Sequence, residues 1–183
     1  MSRIISGFAK GIKLDVLPVS NMRPTSNRVK EALFDIIQFD IVGSSFLDLF
    51  SGTGQIALEA VSRGASKVYS IENSYESFKI IKRNINIMKC KSHQNINIEV
   101  FLDSAFRFLS NFSSKVDILF SDAPFDMKIS EEVFSKFEKV TNNLIITETL
   151  YKNEPVKEGD LFYLLKRYRY GRISLNVYGR KLV

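Results

Sequence analysis

The chain has 183 residues, 45% hydrophobic and 25% charged, which supplies one compact core and is too short for two ordinary domains. A lone cysteine, Cys90, excludes an internal disulfide, no C-x-x-C pair or His cluster points to zinc, and no stretch reaches the roughly 18 apolar residues of a membrane span. The net charge of +6 is uneven: residues 1–30 carry six Lys/Arg against one acid and residues 166–183 six against none, while the stretch between holds 14 bases and 19 acids.

Residues 3–7 and 11–18 read as two short strands around a Gly-flanked turn, a basic hairpin within residues 1–20. Arg23-Pro24-Thr25-Ser26 supplies a turn and an N-cap for a helix expected within residues 21–42, with Val29, Leu33, Ile36 and Ile37 on one face. From residue 43 strands and helices alternate. Strands are expected at 45–50, 67–72, 96–101, 116–120 and 144–147, with helices at 55–63, 74–88, 104–112 and 131–140. The Asn/Lys-rich stretch 84–97 reads as a loop following its helix. Residues 161–170 and 172–178, separated by Gly171, read as an antiparallel pair. Together these predict a single domain over 1–183, with a core over 43–183 that is a doubly wound α/β sheet with an antiparallel edge.

Two stretches carry chemistry. Gly52-Thr53-Gly54-Gln55-Ile56-Ala57 follows a strand and opens a helix, the context in which a G-x-G-x-x-G/A string signals a cofactor loop. Ser51 and Thr53 read first as turn residues of that loop. Glu72, at the end of the next strand, suits a ribose diol, a reading that leaves NAD open. Asp48 argues against a dinucleotide, because a carboxylate at the strand end would face the pyrophosphate, whereas a cofactor with a sulfonium and an ammonium group tolerates it. Asp103, ending the third strand, either accepts from an adenine amine or caps the next helix. The second stretch, Asp122-Ala123-Pro124-Phe125, ends the fourth strand with a short acid, a rigid Pro and an aromatic ring, a combination suited to holding a planar amine.

With Arg23-Pro24-Thr25, Arg28 to Phe34, Leu47 to Gly54, Leu58 to Ala65 and Ile71-Glu72-Asn73 added, the chain resembles the RsmD-like family of bacterial 16S ribosomal RNA guanine-N2 methyltransferases over nearly its whole length. The resemblance implies a Rossmann-like methyltransferase fold with a mostly parallel seven-stranded sheet, an antiparallel C-terminal edge strand and a small N-terminal β-hairpin extension. It implies S-adenosylmethionine as donor and 16S ribosomal RNA or the small ribosomal subunit as partner. The expected state is a cytoplasmic monomer without metal or membrane contact. Carried over by position, Asp48, Ser51, Gly52, Thr53, Gly54, Glu72, Asn73, Asp103 and Ser104 serve the cofactor. Asp122, Ala123, Pro124 and Phe125 form the catalytic loop, in which Asp122 and the Ala123 or Pro124 carbonyl accept from the amine and Phe125 stacks on an unpaired base. Ala123 departs from the family's [ND]-P-P-[YF], returning backbone freedom of about 0.4–1 kcal/mol to the unfolded chain. Arg3, Lys10, Lys13, Arg23, Thr25, Arg28, Arg169 and Arg172 are expected to meet RNA. The alternatives are methylation of another planar amine, such as DNA adenine or a protein amide, a non-catalytic RNA-binding or ribosome-assembly module, and an NAD-dependent reductase.

Overall fold

Phe46 and Leu47, neighbours in one strand, enter two different cores because successive strand side chains point to opposite faces of the sheet. The computed structural model describes residues 2–17, 27–124 and 127–182. Its elements are β1 (Ser2–Arg3), β2 (Lys13–Leu14), α1 (Asn27–Ile36), β3 (Ser45–Asp48), α2 (Gln55–Ser62), β4 (Lys67–Glu72), α3 (Tyr75–Ser92), β5 (Ile98–Leu102), α4 (Ala105–Asn111), β6 (Val116–Ser121), α5 (Glu131–Lys139), β7 (Thr141–Leu150), β8 (Phe162–Tyr170) and β9 (Ile173–Arg180). Seven strands form one sheet in the order β5-β4-β3-β6-β7-β9-β8, and β1 pairs with β2 in a separate hairpin. The first five in that order are parallel, and β9 runs antiparallel to both β7 and β8.

The chain builds β3, β4 and β5 outward in one direction and then returns to place β6 on the other side of β3. That reversal is a topological switch point, where doubly wound sheets open a crevice at the carboxyl ends of their strands. One sheet face joins Phe46, Phe120 and Ile146 to residues of the hairpin, α1, α2 and α3; the other joins Leu47, Leu119 and Ile145 to α4 and α5.

Glu59 of α2 fastens the hairpin to the first face. Its fully buried carboxylate accepts from the amides of Ile5 (2.8 Å) and Ser6 (2.9 Å) and from Arg63 Nε (2.9 Å), with Lys30 Nζ at 3.7 Å. Lys30 of α1 is equally buried and donates to the Arg3 carbonyl at 2.8 Å. Burial holds the Lys30 ammonium below its ordinary value, and Glu59 acts against that shift. Gly7 crosses α2 so closely that a Cβ there would lie 1.7 Å from the Ser62 carbonyl oxygen, and its φ of +82° suits glycine.

Within the window 21–42 the described part of the first helix is α1, Asn27–Ile36, after which consecutive turns bury Ile37 and Ile41; the Arg23 to Ser26 turn and cap lie outside the described residues. Two expectations are corrected. The stretch 84–97 is not a loop from its start, because α3 continues to Ser92. Asn84 is fully buried there, donating to the Asp15 and Thr53 carbonyls (both 3.0 Å) and accepting from the Asp15 amide at 2.7 Å, so tertiary contacts outweigh the polar composition. Strand β7 runs beyond 144–147 because β9 pairs with it as far as Leu150.

Replacing Glu59 with Ala leaves the buried Lys30 ammonium without its counter-charge and the Ile5 and Ser6 amides without their acceptor, a loss of about 3–5 kcal/mol. Urea unfolding is expected to show it, together with faster hydrogen exchange at Ile5 and Ser6; unchanged exchange there would remove Glu59 as the anchor of the hairpin.

Candidate active site

Five adjacent parallel strands each place an acid at or just past the carboxyl edge of the sheet: Asp103 after β5, Glu72 ending β4, Asp48 ending β3, Asp122 after β6 and Glu148 within the end of β7. Register aligns the central members. Asp48 sits opposite Phe120, and Ser121 opposite Thr147, so Asp122 and Glu148 follow as the next neighbours across strands about 4.8 Å apart. Alternation puts Asp48, Asp122 and Glu148 on the face of Phe46, Phe120 and Ile146.

Asp48 is 1% exposed, and among the described residues neither carboxylate oxygen has a hydrogen-bond partner. Burial pushes it up to about 7, with the charges of Asp122 and Glu72 adding to the shift and Ser51 opposing it. The Ser51 hydroxyl donates to the Asp48 main-chain carbonyl at 3.0 Å and accepts from Ser70 at 2.8 Å, which makes it a brace of the turn. A buried carboxylate without a donor is costly unless something cationic or proton-bearing meets it.

The loop beside it is tightly built. Gly54 has φ +79°, and a Cβ there would come 3.2 Å from Ile81 of α3, so only glycine lets the loop lie this close to the helix. The Gly52 amide donates to Glu72 Oε2 at 2.8 Å, and the Ser74 amide to Oε1 at 2.7 Å. Burial raises Glu72, opposed by the amides of Ser74, Gly52 and Asn73. Thr53 is buried, its carbonyl held by Asn84 and its hydroxyl by Gln55 at 3.2 Å. Asn73 is exposed at the mouth of this loop.

Asp103 does not cap the following helix. Ser104 is the N-cap of α4, accepting from the Arg107 amide at 3.3 Å, while Asp103 accepts from the Ser104 amide at 2.6 Å and pairs with the Arg107 guanidinium. Asp122 is half-buried, Ala123 buried and Pro124 exposed. The Pro124 carbonyl accepts from the Met127 amide at 2.8 Å, which closes a turn directly after Ala123. Phe125 lies outside the described residues. Ala123, Pro124, Met127, Thr147, Glu148 and Tyr178 help line a cavity of about 470 Å³, within the size range of small-molecule sites.

Glu148 was not among the residues that the sequence singled out. It is 4% exposed, its Oε2 has no hydrogen-bond partner among the described residues, and burial with the neighbouring Asp122 charge pushes it up to about 8. Its sequence signal is faint: one acid after Ile145-Ile146-Thr147, where the expected strand stops.

Arg3, Lys10, Lys13, Arg28, Arg169 and Arg172 are all exposed, and Arg23 and Thr25 lie outside the described residues. Arg28 lines a shallow cleft with Tyr168 and Tyr170, which brings α1 beside the basic end of β8. Among the described residues no group of acids, His and Cys is arranged to hold a metal, and no helix is long and apolar enough to cross a membrane.

Comparison with known proteins gives three concordant findings. The model of the family described as Conserved hypothetical protein 95 matches residues 2–179. Ribosomal RNA small subunit methyltransferase D of Haemophilus influenzae is 35% identical over 182 residues, covering 96% of this chain and 92% of the relative, and the Escherichia coli K12 protein of the same name is 32% identical over 158 residues, covering 86% and 76%. The solved structure of the Escherichia coli protein yhhF superposes with a TM-score of 0.84 at 28% identity, covering 98% of this chain and 97% of that one.

The raised Asp48 carboxyl sets a pH dependence. An acid raised in the folded state contributes stability that is fully present below its ordinary value of 3.8 and is lost as pH rises through about 7. Tm of the ligand-free protein is therefore expected to fall from pH 5 to pH 8, conditions set by that window. Asp48→Asn should flatten its share of the slope and raise Tm at the upper pH, by about 2–4 °C for each kcal/mol recovered. Calorimetric scans at the two pH values check this, and an unchanged slope in the variant would refute the assignment.

Proposed function

Because this chain belongs to the Conserved hypothetical protein 95 family, we propose that it methylates the exocyclic N2 amine of a guanine in 16S ribosomal RNA. It is a methyltransferase that uses S-adenosylmethionine and acts on ribosomal RNA, in keeping with its relatives named Ribosomal RNA small subunit methyltransferase D. The choice of guanine N2 is the part that rests on the site.

The observation that carries the reading is the buried Asp48 carboxylate at the switch point, without a hydrogen-bond partner among the described residues and directly beside the strand that Asp122 follows. A pyrophosphate would meet that carboxylate with like charge; an ammonium or sulfonium meets it with opposite charge. The residues therefore fit S-adenosylmethionine. Asp48 and the Ser51 to Gly54 loop would hold its amino-acid end, Glu72 its ribose and Asp103 its adenine side. When bound, the cofactor supplies an electrophilic methyl group.

Asp122 then has a defined task. The guanine N2 lone pair is delocalised into the ring, and a carboxylate accepting one N–H orients the amine and receives the proton that its nitrogen must lose. The Ala123 or Pro124 carbonyl takes the other N–H, the Pro124 oxygen keeping a second lone pair beside its bond from Met127. Phe125 is assigned the stacking role on the flipped base from its place in the sequence. Arg3, Lys10 and Lys13 on the hairpin, Arg23, Thr25 and Arg28 ahead of the core, and Arg169 and Arg172 around the final hairpin are assigned to the RNA backbone.

Mass spectrometry of 16S ribosomal RNA from cells lacking the protein is expected to show the loss of one N2-methylguanosine, restored by the wild-type chain. Asp122→Ala should lower kcat by about 10²–10³-fold while leaving S-adenosylmethionine binding intact by calorimetry; full activity in that variant would remove Asp122 from catalysis. Separately, Lys10→Ala and Lys13→Ala should each reduce the salt dependence of RNA binding by about one phosphate contact, as titrations at several salt concentrations would show.

A further inference from the structure

Glu148 is a buried acid that the structural framework does not use. Among the described residues no Lys or Arg pairs with it, and its Oε2 has no partner; its register partner on β9 is the apolar Leu175, beyond which lies Tyr168 of β8. On its other flank stands Asp122, one step past the last Ser121–Thr147 pair, and Glu148 itself lines, with Ala123 and Pro124, the cavity beside that loop. Two carboxyl groups side by side in a desolvated place do not both ionise. The deeper one, at 4% exposure, is the one that keeps a proton; its upward shift to about 8 has the same two causes, burial and Asp122.

A neutral carboxyl group presents one O–H donor and one carbonyl acceptor side by side, whereas ionised Asp122 presents acceptors alone. Read outward from Asp122, the pair offers acceptor, acceptor, donor. Guanine read outward from its 2-amine offers donor, donor, acceptor: N2–H, N1–H and O6. Adenine and cytosine read from their own amines place an acceptor second; a Glu148 proton moved to the inner oxygen meets it but leaves the outer oxygen without a donor, so guanine alone takes all three contacts. Resting on the guanine-N2 reading above, we propose that Glu148 selects the base, donating to guanine O6 and accepting from N1–H while Asp122 takes the amine.

The test deletes the two groups that Glu148 reads. The base 2-aminopurine keeps the 2-amine and lacks both N1–H and O6. Small subunits assembled with guanine or with 2-aminopurine at the methylated position serve as substrates for the wild type, Glu148→Ala and Glu148→Gln, with S-adenosylmethionine binding by calorimetry as the check on folding. The wild type is expected to favour guanine by about 10–100-fold in kcat/KM, and Glu148→Ala to bring the two substrates within about threefold. Glu148→Gln, whose amide keeps a donor beside an acceptor, should retain the preference.

If Glu148→Ala slows both substrates equally and leaves the preference intact, the residue is structural and the proposal falls. If Glu148→Gln loses the preference as Ala does, the donor-acceptor assignment falls. Failure of the underlying reading looks different: the wild type would then yield no N2-methylguanosine from the guanine substrate at all.

Discussion

The working edge of this protein is governed by crowding of like charge in a desolvated place. Parallel pairing of five neighbouring strands brings their carboxyl ends together, and each strand delivers an acid there. In water such a row would cost little, but at the end of a buried sheet Asp48 and Glu148 lose hydration and face the charge of Asp122, whereas Asp103 at the outer strand pairs with Arg107. The sequence places the acids, and the register brings them together. Asp48 and Glu148 end up as groups whose neutral forms the fold favours, so the molecule retains a local instability that cations and hydrogen-bond donors relieve.

The opposite arrangement holds the framework. At Glu59 the carboxylate is just as buried as Asp48, yet two amides, an ammonium and a guanidinium surround it. Asn84 plays a comparable part without charge, joining the segment after the hairpin to the cofactor loop through one side-chain amide. Glu59 is satisfied on every side and Asp48 is not, so two equally buried carboxylates show the same functional group in two different settings.

Much of this was legible in the sequence, for identifiable reasons. Strand, glycine loop, helix and acid follow one another within residues 45–72, so that order of elements is local, and the Asp122 loop follows a strand by the same logic. The residues that escaped depend on distant partners. Asn84 looked like loop composition because its three hydrogen bonds reach Asp15 and Thr53. Glu148 was passed over because the added length of β7 comes from β9, and its environment from Asp122. Ser104 caps α4 in place of Asp103 because both residue types cap helices and the choice lies in backbone angles that neighbouring residues set.

The outer strand β8 carries a consequence of another kind. It is the outer strand of the seven-stranded sheet; its start is covered where Phe162 and Leu164 bond to Gly159 and Lys157, and the remainder is an edge of the kind that can join another sheet. Lys166 and Arg169 stand exposed along that remainder, while Arg167 turns back to Tyr151, Asn153 and Glu154. A second copy pairing there would bring the exposed charges of two such strands together, so side chains of the sort that grip a polyanion also guard the edge against aggregation. Neutralising them to weaken RNA contact would at the same time leave a sticky strand.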